Sequence, residues 1–581
     1  MKGILSLRSS KRALVNIGKP AACRRSKEER QPPQGEKKQI DRSIDRMFFV
    51  VLMLVPIISV PWHEGISGCD SPSYVYSAKK FLETHSINYN DPIETRVIAW
   101  IPYAIYIFFF GINKYITWVT TIELCALLCI IYFFLRNQDQ VVALYSSAII
   151  GLSTFMIQIS AVVRGDTLLT LLVNLPLLVY WRYIKNEISP KASQWGIFAG
   201  VCWVLAFYTK EVAVYYLIVC LYFSVIAYSK KYSNDIKFWS SFWTTLIFAG
   251  IFTVGYFYFQ TGDPFRKITL ANEVVTHYDQ ARNAPGELLY RVTLQPIIFF
   301  IQNYTLGLLV LLSLFYLIPF RKSENGFWIG YSIVALSVWW IVPQNISPYH
   351  PIWLINRLWM PIVVPLSICA GYGMKSFVAC RETKSGRWAV ILTGISFVIV
   401  SYKMFLLNED ALYKERAVFY SIITLFILLA LYVKENVIIP NLRKVALVVV
   451  LFPFFYQCYD RFSWKDYRSE YDYTVELVNT LEKRADAHTV LSTYCVAQFY
   501  KIHGAGKLTF VRYEDAKLIG DNLSGYYLVI DKNLIDAKYN LKESDDFTGM
   551  ISVLHAIETS PFEFGFTLLE ENEKYQIYHH Q

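Results

Sequence analysis

Long apolar runs recur along this chain from Met47 to about Cys458, and they constrain its fold more than any other feature. Many are close to the roughly 20 residues that a helix needs to cross a bilayer. Because backbone groups in lipid must be hydrogen-bonded within their own segment, such runs fold as helices. A large soluble core would show amphipathic periods, whereas these runs are apolar on every face. The sequence therefore predicts a polytopic α-helical membrane protein.

Composition and charge agree with this class. Charged residues make up only 18% of the chain, against about 25% in a typical soluble domain. The net charge of +10 lies largely in residues 1–46 and in short loops. We interpret residues 1–46 as a disordered basic tail that holds the N-terminus in the cytoplasm, and we expect no nucleic-acid partner. The scattered cysteines have no metal-binding spacing.

The basic loops predict a membrane domain over residues 47–459, with outer loops over 62–96 and 260–295. The span count is about 13 or 14, from the apolar runs and the alternation of basic loops. If Asp70 and Asp166 both lie outside, one of the three runs between them cannot be a full crossing. Those runs are 97–112, 116–135 and 141–159. The sequence alone does not distinguish them, although the first and the third are the shorter ones.

Residues 460–581 differ from the rest of the chain. "YTVELVNTLEKR" has the spacing of an amphipathic helix, and "TVLST", "KLTFV" and "YYLVID" are typical of short strands. We expect a small extracytoplasmic α/β domain here, on a multi-pass protein of the cell membrane.

Ionisable and polar side chains at the outer ends of the predicted spans are the candidate site residues. A charge in lipid costs about 2.5–3.5 kcal/mol on insertion scales, so it usually has a partner or a function. Simple structural roles stay open for several of them, such as helix caps for the aspartates and interfacial anchors for the others. The candidates are Asp70, Arg96, Asp166, Lys210, Glu211, Tyr349, His350 and Arg357.

The chemistry of this set points to a phosphate and a nucleophile. Carboxylates can act as general bases on a hydroxyl, and Arg and Lys bind phosphate oxygens. Arg164, two residues before Asp166, adds a further charge at the same span end. The combination at a membrane surface indicates a lipid-linked phosphate donor and a hydroxyl or amine acceptor.

The order of these motifs resembles a known family. The segments are "DSPSYVYSA", "TRVIAWIPYAIYIFFFG", "RGDTLLTLLVNLPLLVYWRY", "GVCWVLAFYTKEVAVYYL", "TGDPFRKI" and "NRLWMPIVVPLSICAGYG". Over roughly residues 47–378 the chain is similar to the GT-C glycosyltransferases that use polyprenyl-phosphate sugars. Relatives in that group include the protein O-mannosyltransferases and the aminoarabinose transferase of lipid A.

The resemblance implies roles for individual residues. Asp70 would match the first-loop aspartate, as base or acceptor-positioning group, and Asp166 the second acidic position. Lys210 and Arg357 would meet the donor phosphate, and Arg96 would orient the first loop or the phosphate. The stretch 260–295 resembles the mobile outer loop that covers the donor.

The resemblance also implies the substrates. The expected partners are a polyprenyl-phosphate-linked sugar, membrane lipid and an acceptor that is a protein, a lipid or a glycan. Ser71 follows Asp70 where the family often has a second acidic residue, which weakens the inference of a metal held by adjacent carboxylates. No definite cofactor is predicted, and a divalent cation stays open.

Two other functions fit the sequence. One is a flippase or transporter of lipid-linked sugars without chemistry, although the inverted repeats typical of transporters are not evident. The other is a ligase or polymerase that joins glycans from a diphosphate carrier.

Overall fold

A computed structural model of the protein describes most of residues 34–379 and parts of residues 470–580. In the first region the gaps are 64, 67–69, 186–190, 230–232, 280–287, most of 294–325, 347–348 and 352–355. The C-terminal described segments are 470–484, 489–492, 494–504, 506–512, 526–531, 566–571 and 575–580. The first part of the predicted tail and the later predicted spans, within 380–469, lie outside the described residues.

The described membrane region is helical throughout, apart from one short hairpin. Its first twelve helices are α1 (Gln34–Ser59), α2 (Asp70–Thr84), α3 (Val97–Phe110), α4 (Trp118–Leu135), α5 (Gln140–Gly151), α6 (Thr154–Ser160), α7 (Asp166–Ile184), α8 (Ala192–Thr209), α9 (Leu217–Ser229), α10 (Ser233–Thr261), α11 (Arg266–Asp279) and α12 (Leu288–Thr293). Two further helices, Gly326–Ile341 and Met360–Ala379, flank the hairpin of β1 (Pro343–Ile346) and β2 (Tyr349–Pro351).

Six helical segments within the described residues are long and apolar enough to cross a membrane. They are Asp41–Trp62, Lys114–Leu135, Asp166–Ile184, Glu211–Ser229, Asn234–Thr261 and Arg357–Lys375. The protein is therefore a multi-pass helical membrane protein, as the apolar runs predict. Helix α1 begins at Gln34, so it extends into the stretch that composition predicts to be a disordered tail.

Contacts at the two ends of α1 and α4 define two faces of the helix bundle. At one end, the Arg136 guanidinium lies 2.6 Å from an Asp45 carboxylate oxygen. At the other end, Nδ1 of His63 lies 2.7 Å from the Thr117 hydroxyl. We call the face that carries His63 the site face, because Asp70 follows on the same side.

We infer that helix α3 is the apolar run that does not cross the membrane, because both of its ends have partners on the site face. Arg96 before it hydrogen-bonds to Tyr74 on the site face, and Lys114 after it pairs with Asp472 of the C-terminal region at 3.4 Å. Both ends of α3 thus lie on the site face, and its 14 residues span only about 21 Å. The run 141–159 instead crosses as α5 and α6, with a break at Leu152–Ser153.

Close packing of α8 against α10 depends on two glycines spaced four residues apart on one face of α8. A Cβ at Gly196 would lie 2.2 Å from the Phe238 carbonyl oxygen, and one at Gly200 would lie 2.8 Å from Cβ of Thr245. Small residues at this spacing allow helix backbones to approach closely in membranes.

The C-terminal region forms a mixed five-stranded sheet with two helices, Glu470–Lys483 and Tyr494–His503. The strands are β3 (Thr489–Ser492), β4 (Thr509–Arg512), β5 (Tyr526–Asp531), β6 (Phe566–Glu571) and β7 (Tyr575–His580), in the order β4-β3-β5-β7-β6. β3 is parallel to β4 and β5, whereas β7 is antiparallel to β5 and β6. The predicted amphipathic helix and all three predicted strands are confirmed.

This α/β region packs directly onto α2, the helix that begins with Asp70. Tyr74 and Val75 belong to the same buried cluster as Leu477 and Phe499. The Lys79 ammonium also donates a hydrogen bond to the Ile502 carbonyl oxygen at 2.8 Å. The C-terminal region and the first site-face helix therefore share one core.

Gly196→Ala should destabilise the protein by about 1–3 kcal/mol, because the new methyl group meets backbone atoms of α10 that cannot rotate away. Gly250→Ala is the matched control, since a Cβ there meets nothing within 4 Å. It should be neutral or stabilising by up to about 1 kcal/mol. Thermal unfolding of the detergent-purified variants measures both, and equal effects would contradict the packing role of Gly196.

Candidate active site

The deepest pair of the site joins the start of α7 to the residue that follows α8. The Lys210 ammonium lies 2.6 Å from an Asp166 carboxylate oxygen, and the two side chains are 9% and 2% exposed. Lys210 is placed there because α8 ends at Thr209 and the chain extends before a 3₁₀ turn begins at Glu211. Breaking a buried pair by removing one partner typically costs about 3–5 kcal/mol, so this contact fixes two helix ends relative to each other.

A second pair lies closer to solvent. Arg357 donates a hydrogen bond to Asp70, and this ion pair joins the start of α2 to the turn before helix Met360–Ala379. The Asp70 side chain is 37% exposed, far more than Asp166. Asp70 is therefore the carboxylate that a molecule arriving from solvent can reach.

A third group is built around Glu211. The Arg96 guanidinium lies 3.0 Å from one carboxylate oxygen, and the Lys267 ammonium lies 2.9 Å from the other. Arg96 also donates to the Tyr74 hydroxyl at 3.4 Å, and Lys267 donates to the Thr95 carbonyl oxygen at 3.1 Å. One carboxylate thus links the first outer loop, the α8–α9 connection and the start of α11.

These three groups form one cluster. Arg357 interacts electrostatically with both Asp70 and Asp166, and Lys210 interacts with Asp70 as well as with its own partner. We call the following set the charged cluster: Asp70, Arg96, Arg164, Asp166, Lys210, Glu211, Lys267 and Arg357. Six of the eight candidates from the sequence belong to it.

The remaining two candidates lie in the hairpin. Tyr349 and His350 are in β2, where His350 pairs with Asn345 and Tyr349 with Ile346. β2 ends shortly before Arg357 in the chain, but the side chains of these two residues lie outside the described part of the structure. Their predicted binding role stays a prediction.

Sequence reasoning missed Lys267 as a site residue. It lies in "TGDPFRKI", a segment of the family resemblance that was assigned to an outer loop and given no site residue, yet its side chain is 2% exposed and paired with Glu211. Its ammonium also lies 5.6 Å from the centre of the Phe207 ring. The only available signal was a basic residue at the start of a helix near a span end, which many surface loops share.

The described residues do not fit a metal held by adjacent carboxylates. Ser71 is fully buried beside Asp70, and Asp70 is already bonded to Arg357. Within the described ranges, no group of three or more His, Cys, Asp or Glu side chains is placed to hold a metal ion.

Comparison with solved structures identifies the fold, whereas sequence comparison does not. No family model and no curated protein matches the sequence. A crystal structure of ArnT from Cupriavidus metallidurans bound to undecaprenyl phosphate matches with a TM-score of 0.54, at 10% identity, over 91% of this chain and 97% of that one. The chain has the fold of ArnT. The apo crystal structure of the same ArnT matches with a TM-score of 0.51, at 10% identity, over 91% of this chain and 96% of that one. The predicted fold class, a polytopic helical membrane protein with a small C-terminal α/β region, is thus confirmed at the level of architecture.

The pKa of Asp70 gives a test of the second ion pair. Burial opposes ionisation of Asp70, but the charges of Arg357 and then Arg164 outweigh it and lower the pKa to about 2. A depressed pKa stabilises the folded state above the ordinary aspartate value, and this contribution is lost as the pH falls through the folded value. The window is therefore from about pH 4 down to about pH 2.

We expect thermal stability of the wild type to fall in this window partly through protonation of Asp70. In Arg357→Gln the folded-state pKa of Asp70 rises toward its unfolded value, so the stability lost across this window becomes smaller. Melting temperatures measured between about pH 2 and pH 5 test this shift. Asp70→Asn lacks the titrating group and should show a shallower pH slope, and a slope equal to that of the wild type would exclude the assignment.

Proposed function

We propose that the protein is an integral membrane glycosyltransferase that transfers a sugar from a polyprenyl-phosphate donor to an acceptor at the extracytoplasmic face. The observation that carries the proposal is the charged cluster, in which cations and carboxylates gather at the ends of membrane helices. The ArnT fold supports it, because the matching ArnT structure holds undecaprenyl phosphate. The site face would then be extracytoplasmic, which agrees with the cytoplasmic N-terminus that the basic charge of residues 1–46 predicts.

The donor's lipid tail would lie in the bilayer, with its phosphate near Lys210 and Arg357. Lys provides a compact positive charge, and Arg provides forked hydrogen bonds to phosphate oxygens. For these cations to reach a phosphate, their contacts to Asp166 and Asp70 must be shared or exchanged as the donor enters. Interactions that strengthen as charge develops accelerate the reaction more than interactions with the ground state.

Asp70 would act on the acceptor. Its exposed carboxylate would accept the proton of the acceptor hydroxyl or amine as that group attacks the anomeric carbon. A bond forms between the acceptor and the anomeric carbon, the bond from that carbon to the phosphate oxygen breaks, and polyprenyl phosphate leaves with both electrons. A single displacement inverts the anomeric centre, so the product should have the opposite anomeric configuration to the donor.

Asp166 has a different role from Asp70. Its buried carboxylate is bonded to Lys210 and is poorly accessible to an acceptor. We assign it to positioning Lys210 at the donor phosphate. The two aspartates that the sequence predicts together are thus separated into a reacting group and a positioning group.

Asp70→Asn should lower turnover by about 10²- to 10⁴-fold, which is the usual contribution of a positioned base. Donor binding should change little, because the phosphate is held by other side chains. The assay supplies radiolabelled polyprenyl-monophosphate sugars to the protein in nanodiscs and measures release of polyprenyl phosphate.

The matched control is Asp139→Asn on the opposite face of the bundle. Asp139 caps α5 through its bond to the Val142 amide at 3.2 Å, and asparagine caps a helix equally well. This control should keep normal turnover. A transporter would move the labelled lipid without releasing polyprenyl phosphate, and that result, or normal turnover in Asp70→Asn, would refute the mechanism.

A further inference from the structure

Positive charge exceeds negative charge in the charged cluster. Five cations, Arg96, Arg164, Lys210, Lys267 and Arg357, face three carboxylates, which leaves an excess of two positive charges among the described residues of the cluster. Uncompensated charge at a membrane face is costly, so an excess of this size indicates an anionic ligand.

The excess can be assigned to particular side chains. Asp70 pairs with Arg357 and Asp166 pairs with Lys210, one to one. Glu211 is shared between Arg96 and Lys267, which leaves one positive charge over. The second unmatched positive charge is that of Arg164, whose Nε is buried and has no hydrogen-bond partner in the part of the chain that the structure describes.

The backbone of Arg164 is held rigidly. The Tyr103 hydroxyl donates to the Arg164 carbonyl oxygen at 2.9 Å, and the Tyr103 hydroxyl oxygen accepts from the Arg164 amide at 3.0 Å. A Cβ on Gly165 would lie 2.8 Å from Cβ of Ala99, so the turn also packs closely on α3. These contacts fix the backbone position from which the Arg164 side chain extends. The charge of its guanidinium interacts with both Asp70 and Asp166.

We propose that Arg164 is a phosphate-binding catalytic residue, which donates to an oxygen of the leaving group and carries the charge that develops on it. This rests on the proposed function. A sugar phosphodiester has one negative charge, whereas the released monoester has close to two at neutral pH, since its second pKa is about 6. An unpartnered, prepositioned donor is the arrangement that stabilises such growing charge.

The test compares Arg164→Gln and Arg164→Lys with Lys375→Gln, which removes a cation from the opposite face. Arg164→Gln should lower kcat by about 10²- to 10³-fold, as loss of one transition-state donor does. It should also raise the inhibition constant of polyprenyl phosphate more than the KM of the donor, because the product has the larger charge. Arg164→Lys keeps the positive charge, so its kcat and its inhibition constant for polyprenyl phosphate should lie between those of Arg164→Gln and the wild type. Lys375→Gln should behave as the wild type.

Binding of polyprenyl monophosphate to the protein in nanodiscs, without any sugar, gives an independent measurement. Wild-type transfer together with unchanged product inhibition in folded Arg164→Gln would overturn the inference and leave the proposed function intact. If binding of polyprenyl monophosphate depends on Arg164 but no donor supports sugar transfer, the proposed function is overturned and the phosphate-binding role of Arg164 stands.

Discussion

The ion pair between Asp166 and Lys210 is the contact on which the rest of the site depends. Both side chains are almost fully buried, so neither charge can be left alone without a large penalty. The pair therefore ties the start of α7 to the end of α8. Because Lys210 is followed directly by Glu211, the same contact also places the carboxylate that holds Arg96 and Lys267.

From this pair the site becomes progressively more accessible. The Glu211 side chain is 12% exposed and Asp70 is 37% exposed, so the cluster runs from a buried anchor to a reachable carboxylate. The outermost element, α2, is supported from behind by the C-terminal α/β region, with which it shares a core. A rigid support of this kind would keep Asp70, the reacting group that we propose, in position.

Much of the site could be predicted because charges are rare in lipid. Asp70, Arg96, Asp166, Lys210, Glu211 and Arg357 each interrupt an apolar context, and the structure brings all six together. Lys267 was not predicted as a site residue, and Arg164 was noted only as a charge beside Asp166, because a basic residue near a loop resembles an ordinary anchor until its partners are known. The pairing itself, such as Glu211 with two cations and not with its neighbour Lys210, has no signal in the sequence.

The sequence by itself determined the helical membrane class, the small α/β region and the residues whose charge needed a reason, since hydropathy and charge are local properties. Only the tertiary structure decided that both ends of α3 lie on the same face and that Asp166 is a buried anchor while Asp70 is accessible. It also decided which cations of the cluster have no carboxylate of their own. These properties depend on distances between residues that are far apart in the chain. Burial and Coulomb energy follow those distances, whereas a linear pattern records only the order of the residues.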